Sequence, residues 1–185
     1  MGRDKSLLRL GGRSLTALAV EKLLAAGYAP VFVVGRPKSY GLPLGIQVVK
    51  EAFTGQGPLS GLEAALSLVQ GPCLILPCDM PRVSRSLLKK LRLSHQARFK
   101  ATAFKTSDGR AQPMPAVYGL ALLPLIRRNL KRKRNALYPL LLGRQRQFLV
   151  LARQGAFENI NDPQAWKRLR ESAFIKTFMS KVTKM

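Results

Sequence analysis

The residues Leu74-Ile75-Leu76-Pro77-Cys78-Asp79-Met80-Pro81 put one carboxylate at the carboxyl end of an apolar run that reads as a strand buried on both faces. In open α/β sheets that edge is where ligands bind. An ionised Asp there is costly unless it is paired or metal-bound, and oxygen ligands suit Mg²⁺, which in turn suits phosphate substrates. Asp79 is therefore the metal candidate, the alternative being an Asp that caps the turn before a helix starting at Ser84. Gly55-Gln56-Gly57-Pro58-Leu59-Ser60-Gly61 leads straight into an apolar-periodic helix, whose first backbone N–H groups can receive an anion or a base edge. Its spacing matches neither the dinucleotide-binding G-x-G-x-x-G nor a P-loop. Near the start, Lys5 offers a point charge for phosphate. The same Met1-Gly2-Arg3-Asp4-Lys5-Ser6 stretch also fits the N-myristoylation pattern at Gly2.

These groups need elements to hold them. Leu15, Leu18, Ala19, Leu23 and Ala26 recur at helical spacing between Ser14 as N-cap and Gly27 as stop. Pro30–Gly35 and Gly45–Val49 read as short strands, Gly61–Val69 as a helix and Pro72–Pro77 as a buried strand. A helix capped by Ser84 follows, then strands at Lys100–Phe104 and Pro113–Tyr118, helices at about 120–129 and 135–142, a strand at 148–151 and a last helix from Pro163. The alternation implies an α/β fold with a mostly parallel sheet.

Composition narrows the chemistry. The chain has 185 residues, 46% of them hydrophobic, enough for one domain with a sizeable core. No apolar stretch reaches a membrane span and no signal-peptide pattern opens the chain, so the expectation is a cytoplasmic protein without a membrane. Two cysteines, Cys73 and Cys78, and a single histidine, His95, exclude a closed zinc site and a disulfide framework, so any metal is oxygen-bound. His95 sits in a polar stretch and reads as a surface residue, which argues against a Ser-His-Asp hydrolase. The 32 Lys and Arg against 9 Asp and Glu give a net charge of +23, spread from Arg3 to Lys184. Such a surface attracts polyanions, and non-specific nucleic-acid binding is the second reading, a non-catalytic basic binding protein.

Five segments occur in one order: Met1-Gly2-Arg3-Asp4-Lys5, Gly55 to Gly61, Cys78-Asp79-Met80-Pro81, Asp108-Gly109-Arg110-Ala111-Gln112-Pro113 and Phe157-Glu158-Asn159-Ile160-Asn161-Asp162-Pro163. That set resembles the molybdenum cofactor guanylyltransferase family over about residues 1 to 170. The resemblance implies a Rossmann-like, three-layer nucleotidyltransferase fold and transfer of GMP from GTP to molybdopterin, with Mg²⁺ and release of pyrophosphate. It makes Asp79 the metal-binding carboxylate and Lys5 the triphosphate lysine, the two catalytic candidates. The Gly57-Pro58-Leu59 turn becomes the guanine-side loop, and Asn159 and Asn161 the pair near the pterin. Glu51 falls where the family commonly shows Asp at a nucleotide contact. Asp79-Met80-Pro81 resembles the guanylyl branch, since related cytidylyl enzymes carry Gln after that Asp. The family also has a first strand and a Leu-Ala-Gly-Gly loop ahead of the Met-Gly-x-Asp-Lys segment, where this sequence opens. The expectation is a nucleotidyltransferase domain over 1–171 with the first strand missing, little activity without it, and a basic tail over 172–185.

Overall fold

The computed structural model describes residues 4–35, 41–151 and 154–171. The match to the myristoylation pattern at Gly2 and the tail over 172–185 lie outside the described residues.

A two-residue hairpin, β1 (Arg9–Leu10) and β2 (Arg13–Ser14), leads into helix α1 (Leu15–Ala25). The Ser14 hydroxyl accepts the Ala17 N–H and so satisfies a first-turn donor, as the sequence predicts. Strands β3 (Phe32–Val34) and β4 (Gln47–Val49) pair in parallel as a separate two-stranded sheet. Helix α2 (Pro58–Val69) starts at the Gly57-Pro58 turn, where Pro at N1 presets the helical φ. Then come β5 (Cys73–Ile75), α3 (Arg85–Ser94) capped by Ser84, β6 (Ala101–Thr106), β7 (Ala111–Tyr118), α4 (Leu123–Lys131), β8 (Arg146–Leu151) and α5 (Pro163–Glu171).

The larger sheet has the order β5-β7-β6-β8. Here the expectation of a mostly parallel sheet fails. Only β3–β4 and β6–β8 are parallel, whereas β1–β2, β5–β7 and β6–β7 are antiparallel. The reason is local: β6 and β7 are joined by the Ser107–Arg110 turn, where Thr106 N–H bonds Arg110 O at 2.9 Å. A connection that short can only reverse the chain. The helix expected over 135–142 is reduced to a 3₁₀ turn at Tyr138–Leu141.

Helices cover both faces of this sheet. On one face Ala101, Ala103, Ala116 and Tyr118 pack with Leu59, Leu62 and Leu66 of α2 and Ile126 and Leu130 of α4. On the other, Phe104 and Val117 meet Leu88 and Leu91 of α3 and Phe157. Each fully buried Leu, Ile or Phe among these contributes about 2 kcal/mol of transfer free energy. A third cluster joins the two ends of the described chain: Leu10, Leu15 and Leu18 pack against Ile160 and Leu169, with Cys78 and Trp166 at its border.

Candidate functional site

Lys5 is aimed by its neighbours. The Asp4 carboxylate accepts the Ser6 N–H at 3.0 Å and the Ser6 hydroxyl at 2.6 Å, closing a 3₁₀ turn over Lys5–Leu7. Thr16 of α1 donates its hydroxyl to Ser6 O at 3.0 Å, and Leu15 N–H bonds Leu8 O at 2.8 Å, tying that turn to the helix. From it the Lys5 ammonium donates to Asn161 Oδ1 at 2.8 Å, across 156 residues of sequence.

Asp79 follows β5 at the carboxyl end of the strand, as the sequence predicts, and is half-buried. Its backbone carbonyl accepts the Ile160 N–H at 2.9 Å, so the Asn159-Ile160-Asn161 segment is stitched directly to the Asp79 turn. Burial raises the Asp79 carboxyl above the usual carboxylate range, and the nearby Lys5 ammonium and its own backbone N–H oppose that rise. Ser84, further along, caps α3, taking the Leu87 N–H at 3.3 Å. Asn159 Oδ1 is buried with no hydrogen-bond partner. Lys5, Asp79 and Asn161 thus converge, with Asn159 on the same bonded segment, although they come from the start, middle and end of the chain.

The other predicted residues form a second group on α2 and β4. Gly57 is the N-cap of α2 at φ 68°, ψ −159°, Pro58 is N1 and Leu59 is fully buried. Glu51, half-buried just beyond β4, borders the same helix, its Oε1 being 3.8 Å from where a Cβ on Gly61 would lie. Ser60 Oγ and Gln56 Oε1 at this helix start are buried without partners. No hydrogen bond among the described residues links this group to Lys5 or Asp79.

One supporting residue escapes the sequence reading. Lys22 continues the stripe Leu15, Leu18, Ala19 at helical spacing, so its side chain enters the small apolar cavity lined by Leu76, Cys78, Met80 and Pro81. Its ammonium donates to Pro81 O, and burial pushes its pKa down to about 8. A lysine on an otherwise apolar helix face is the signal that could have revealed it. It pins the turn that carries Asp79. His95 corrects another expectation: it is half-buried, its Nδ1 is 2.8 Å from Thr102 Oγ1, and burial lowers its pKa.

Among the described residues no three His, Cys, Asp or Glu side chains gather into a metal cluster. Mg²⁺ needs only one or two carboxylates when phosphates and water complete its octahedron. The half-buried Asp79, whose turn is bonded through Ile160 to the segment that carries the unpartnered Asn159 oxygen, fits that modest demand. No helix among the described residues is long and apolar enough to cross a membrane.

The model of the MobA-like NTP transferase domain matches residues 1–148. A probable molybdenum cofactor guanylyltransferase of Opitutus terrae is 32% identical over 158 residues, covering 82% of this chain and 77% of its own length. The crystal structure of molybdopterin-guanine dinucleotide biosynthesis protein A from Archaeoglobus fulgidus superposes with a TM-score of 0.69 at 21% identity, over 100% of this chain and 93% of that one. A Mycobacterium tuberculosis protein solved in complex with manganese gives a TM-score of 0.61 at 16% identity, over 92% of this chain and 94% of its own.

Proposed function

Because the chain belongs to the MobA-like NTP transferase domain family, we propose that it transfers GMP from GTP to molybdopterin, releasing pyrophosphate and forming the guanine dinucleotide cofactor. The observation that carries this reading is the Lys5–Asn161 hydrogen bond beside Asp79, which joins the residues assigned to the triphosphate, the pterin and the metal in one place.

An oxygen of the pterin phosphate attacks the α-phosphorus of GTP in line. The new P–O bond forms as the bond to the bridging oxygen breaks, and pyrophosphate leaves with that electron pair. Little covalent work falls to the protein, so catalysis is positioning and charge. A divalent cation, Mg²⁺ by this reading, would be held by Asp79 and offset the charge of the triphosphate. Lys5 places a cation against the phosphates. Its bond to Asn161 fixes where that charge sits and keeps the two asparagines at the site's edge. Gly57, Pro58 and Leu59 shape the start of α2 for the guanine, with Glu51 as a further nucleotide contact. Met80 after Asp79 favours GTP over CTP.

Calorimetric titration with GTP and with CTP, each with and without Mg²⁺, tests the reading together with turnover on molybdopterin. Mg²⁺-dependent binding of GTP at least ten-fold tighter than CTP is expected. Equal affinities for both, or binding indifferent to the metal, would overturn it.

A further inference from the structure

Of the molecule's charged regions, the shoulder after α4 carries a reading of its own. Arg127, Arg128, Lys131, Arg132, Lys133 and Arg134 are six cations within eight residues, all exposed. Only Arg127 has an acidic partner among the described residues, bonding Glu63 Oε1 at 2.8 Å. Two of the basic residues of α5 differ: Lys167 lies 4.0 Å from Glu171 and Arg168 lies 3.8 Å from Glu158. Arg128 and Lys131 have a structural reason, since cations in a last turn complement the helix dipole. Arg132, Lys133 and Arg134 lie beyond the helix, where that argument ends.

The run is nevertheless ordered. Arg132 and Arg134 N–H both bond Asn129 O, at 3.0 and 2.9 Å, and Lys133 N–H bonds Leu130 O at 2.9 Å. Three unpaired cations are thus presented on a fixed turn, a like-charge arrangement that costs stability unless an anion answers it. Four residues on, Tyr138 is 48% exposed at the start of its 3₁₀ turn, anchored by the buried Leu137, Leu140 and Leu141. Its Cα must lie within about 14 Å of that of Arg134. An aromatic face beside a cationic track is the arrangement that takes a base and its neighbouring phosphates. A bilayer fits less well, because the apolar residues Leu123, Ile126 and Leu130 of α4 are buried and leave no face to insert.

We propose that the turn Arg128–Arg134 together with Tyr138 binds single-stranded nucleic acid without sequence preference, separately from the nucleotide site. Phosphates lie along the cations and a base stacks on Tyr138.

The test is fluorescence anisotropy of the full chain with labelled fifteen-nucleotide oligouridylate and oligothymidylate, from 50 to 200 mM salt. The variant Arg132→Gln/Lys133→Gln/Arg134→Gln is compared with Arg85→Gln/Lys89→Gln/Lys90→Gln on α3, which removes equal charge from exposed positions. Gln suits the φ of 56° at Lys133, since Gln70 and Gln145 already occupy φ of 53° and 60° in this chain. Losing three phosphate contacts should weaken binding at least ten-fold and flatten the salt slope by about 2, while the α3 variant loses less than three-fold. Tyr138→Ala should lose three- to ten-fold with the slope unchanged. Preference for the ribose or deoxyribose strand identifies which nucleic acid is the natural ligand. Equal losses in the two triple variants, no loss in Tyr138→Ala, or tighter capture by vesicles containing 30% phosphatidylserine would overturn the proposal.

Discussion

The two sheets of this molecule are built to different standards. In the four-stranded sheet, β6 is paired along both edges, Ala101–Phe104 is wholly buried and helices press on both faces. In the other, β3 and β4 are three residues each, pair only with one another, and leave all of β3 half-buried. Helix α2 touches both β3 and β5, yet those strands do not hydrogen-bond to each other, so among the described residues each has one unpaired edge. The candidate site is shared between them: Asp79 follows β5 of the stronger sheet and Glu51 follows β4 of the weaker, while the Gly57 turn starts the helix that touches both. A site divided in this way is only as well organised as its less supported half.

On the stronger sheet, Asp79→Asn keeps size and removes the charge. Mg²⁺-dependent GTP affinity should fall at least ten-fold with the circular dichroism unchanged. The sign of its stability effect follows from the raised pKa. Folding disfavours the ionised carboxyl, so the native protein is penalised at neutral pH and not below the unfolded carboxyl's pKa. The Asn variant should therefore melt higher at pH 7 and alike at pH 3. An equal difference at both pH values would contradict the burial of this group.

Lys22→Met probes the same turn from beneath. A lysine pushed down to about 8 binds its proton less well when folded than when unfolded, so stability rises as the pH climbs from about 8 towards 10.5. After allowance for the lost bond to Pro81 O, the Met variant should gain about 2 kcal/mol at pH 7. That gain should vanish near pH 10.5 in urea titrations. A gain independent of pH would mean that packing alone explains it.

The smallest effect belongs to the turn between the two sheets. Gly57 holds a backbone conformation open almost only to glycine, with nothing within 4 Å of an added Cβ. Gly57→Ala should cost about 1–2 kcal/mol through strain alone and weaken GTP binding more than it lowers stability. A variant as stable as the parent would show that the turn readjusts freely.

What the sequence reveals follows the range of the forces involved. The Ser14 and Ser84 caps and the placement of Asp79 after an apolar strand are local, and all are legible, whereas the helix read over Gly61–Val69 begins earlier, at Pro58. The direction of β7 is not, because periodicity marks a strand without saying which neighbour it reverses against. His95 looks like a surface residue within its own polar stretch, and only the arrival of Thr102 on β6 turns it inward. Lys22 looks like an ordinary helix cation until α1 is laid against the Cys78–Pro81 turn. The meeting of Lys5 with Asn161 has no local signature at all, and the order of motifs alone hinted at it.

That hydrogen bond also sets a schedule. Contacts between residues far apart in sequence wait for the loop between them to close, and they form late. On a ribosome adding about 5–20 residues per second, Lys5 is complete roughly 8–30 s before Asn161 is made. Until then the lysine has no asparagine to hold it, and Leu10, Leu15 and Leu18 lack Ile160 and Leu169. The newborn chain can raise its four-stranded sheet only once β8 is out, and join Lys5 to Asn161 only after that. The joining of the chain's two ends is thus among the last steps by which the described fold is completed.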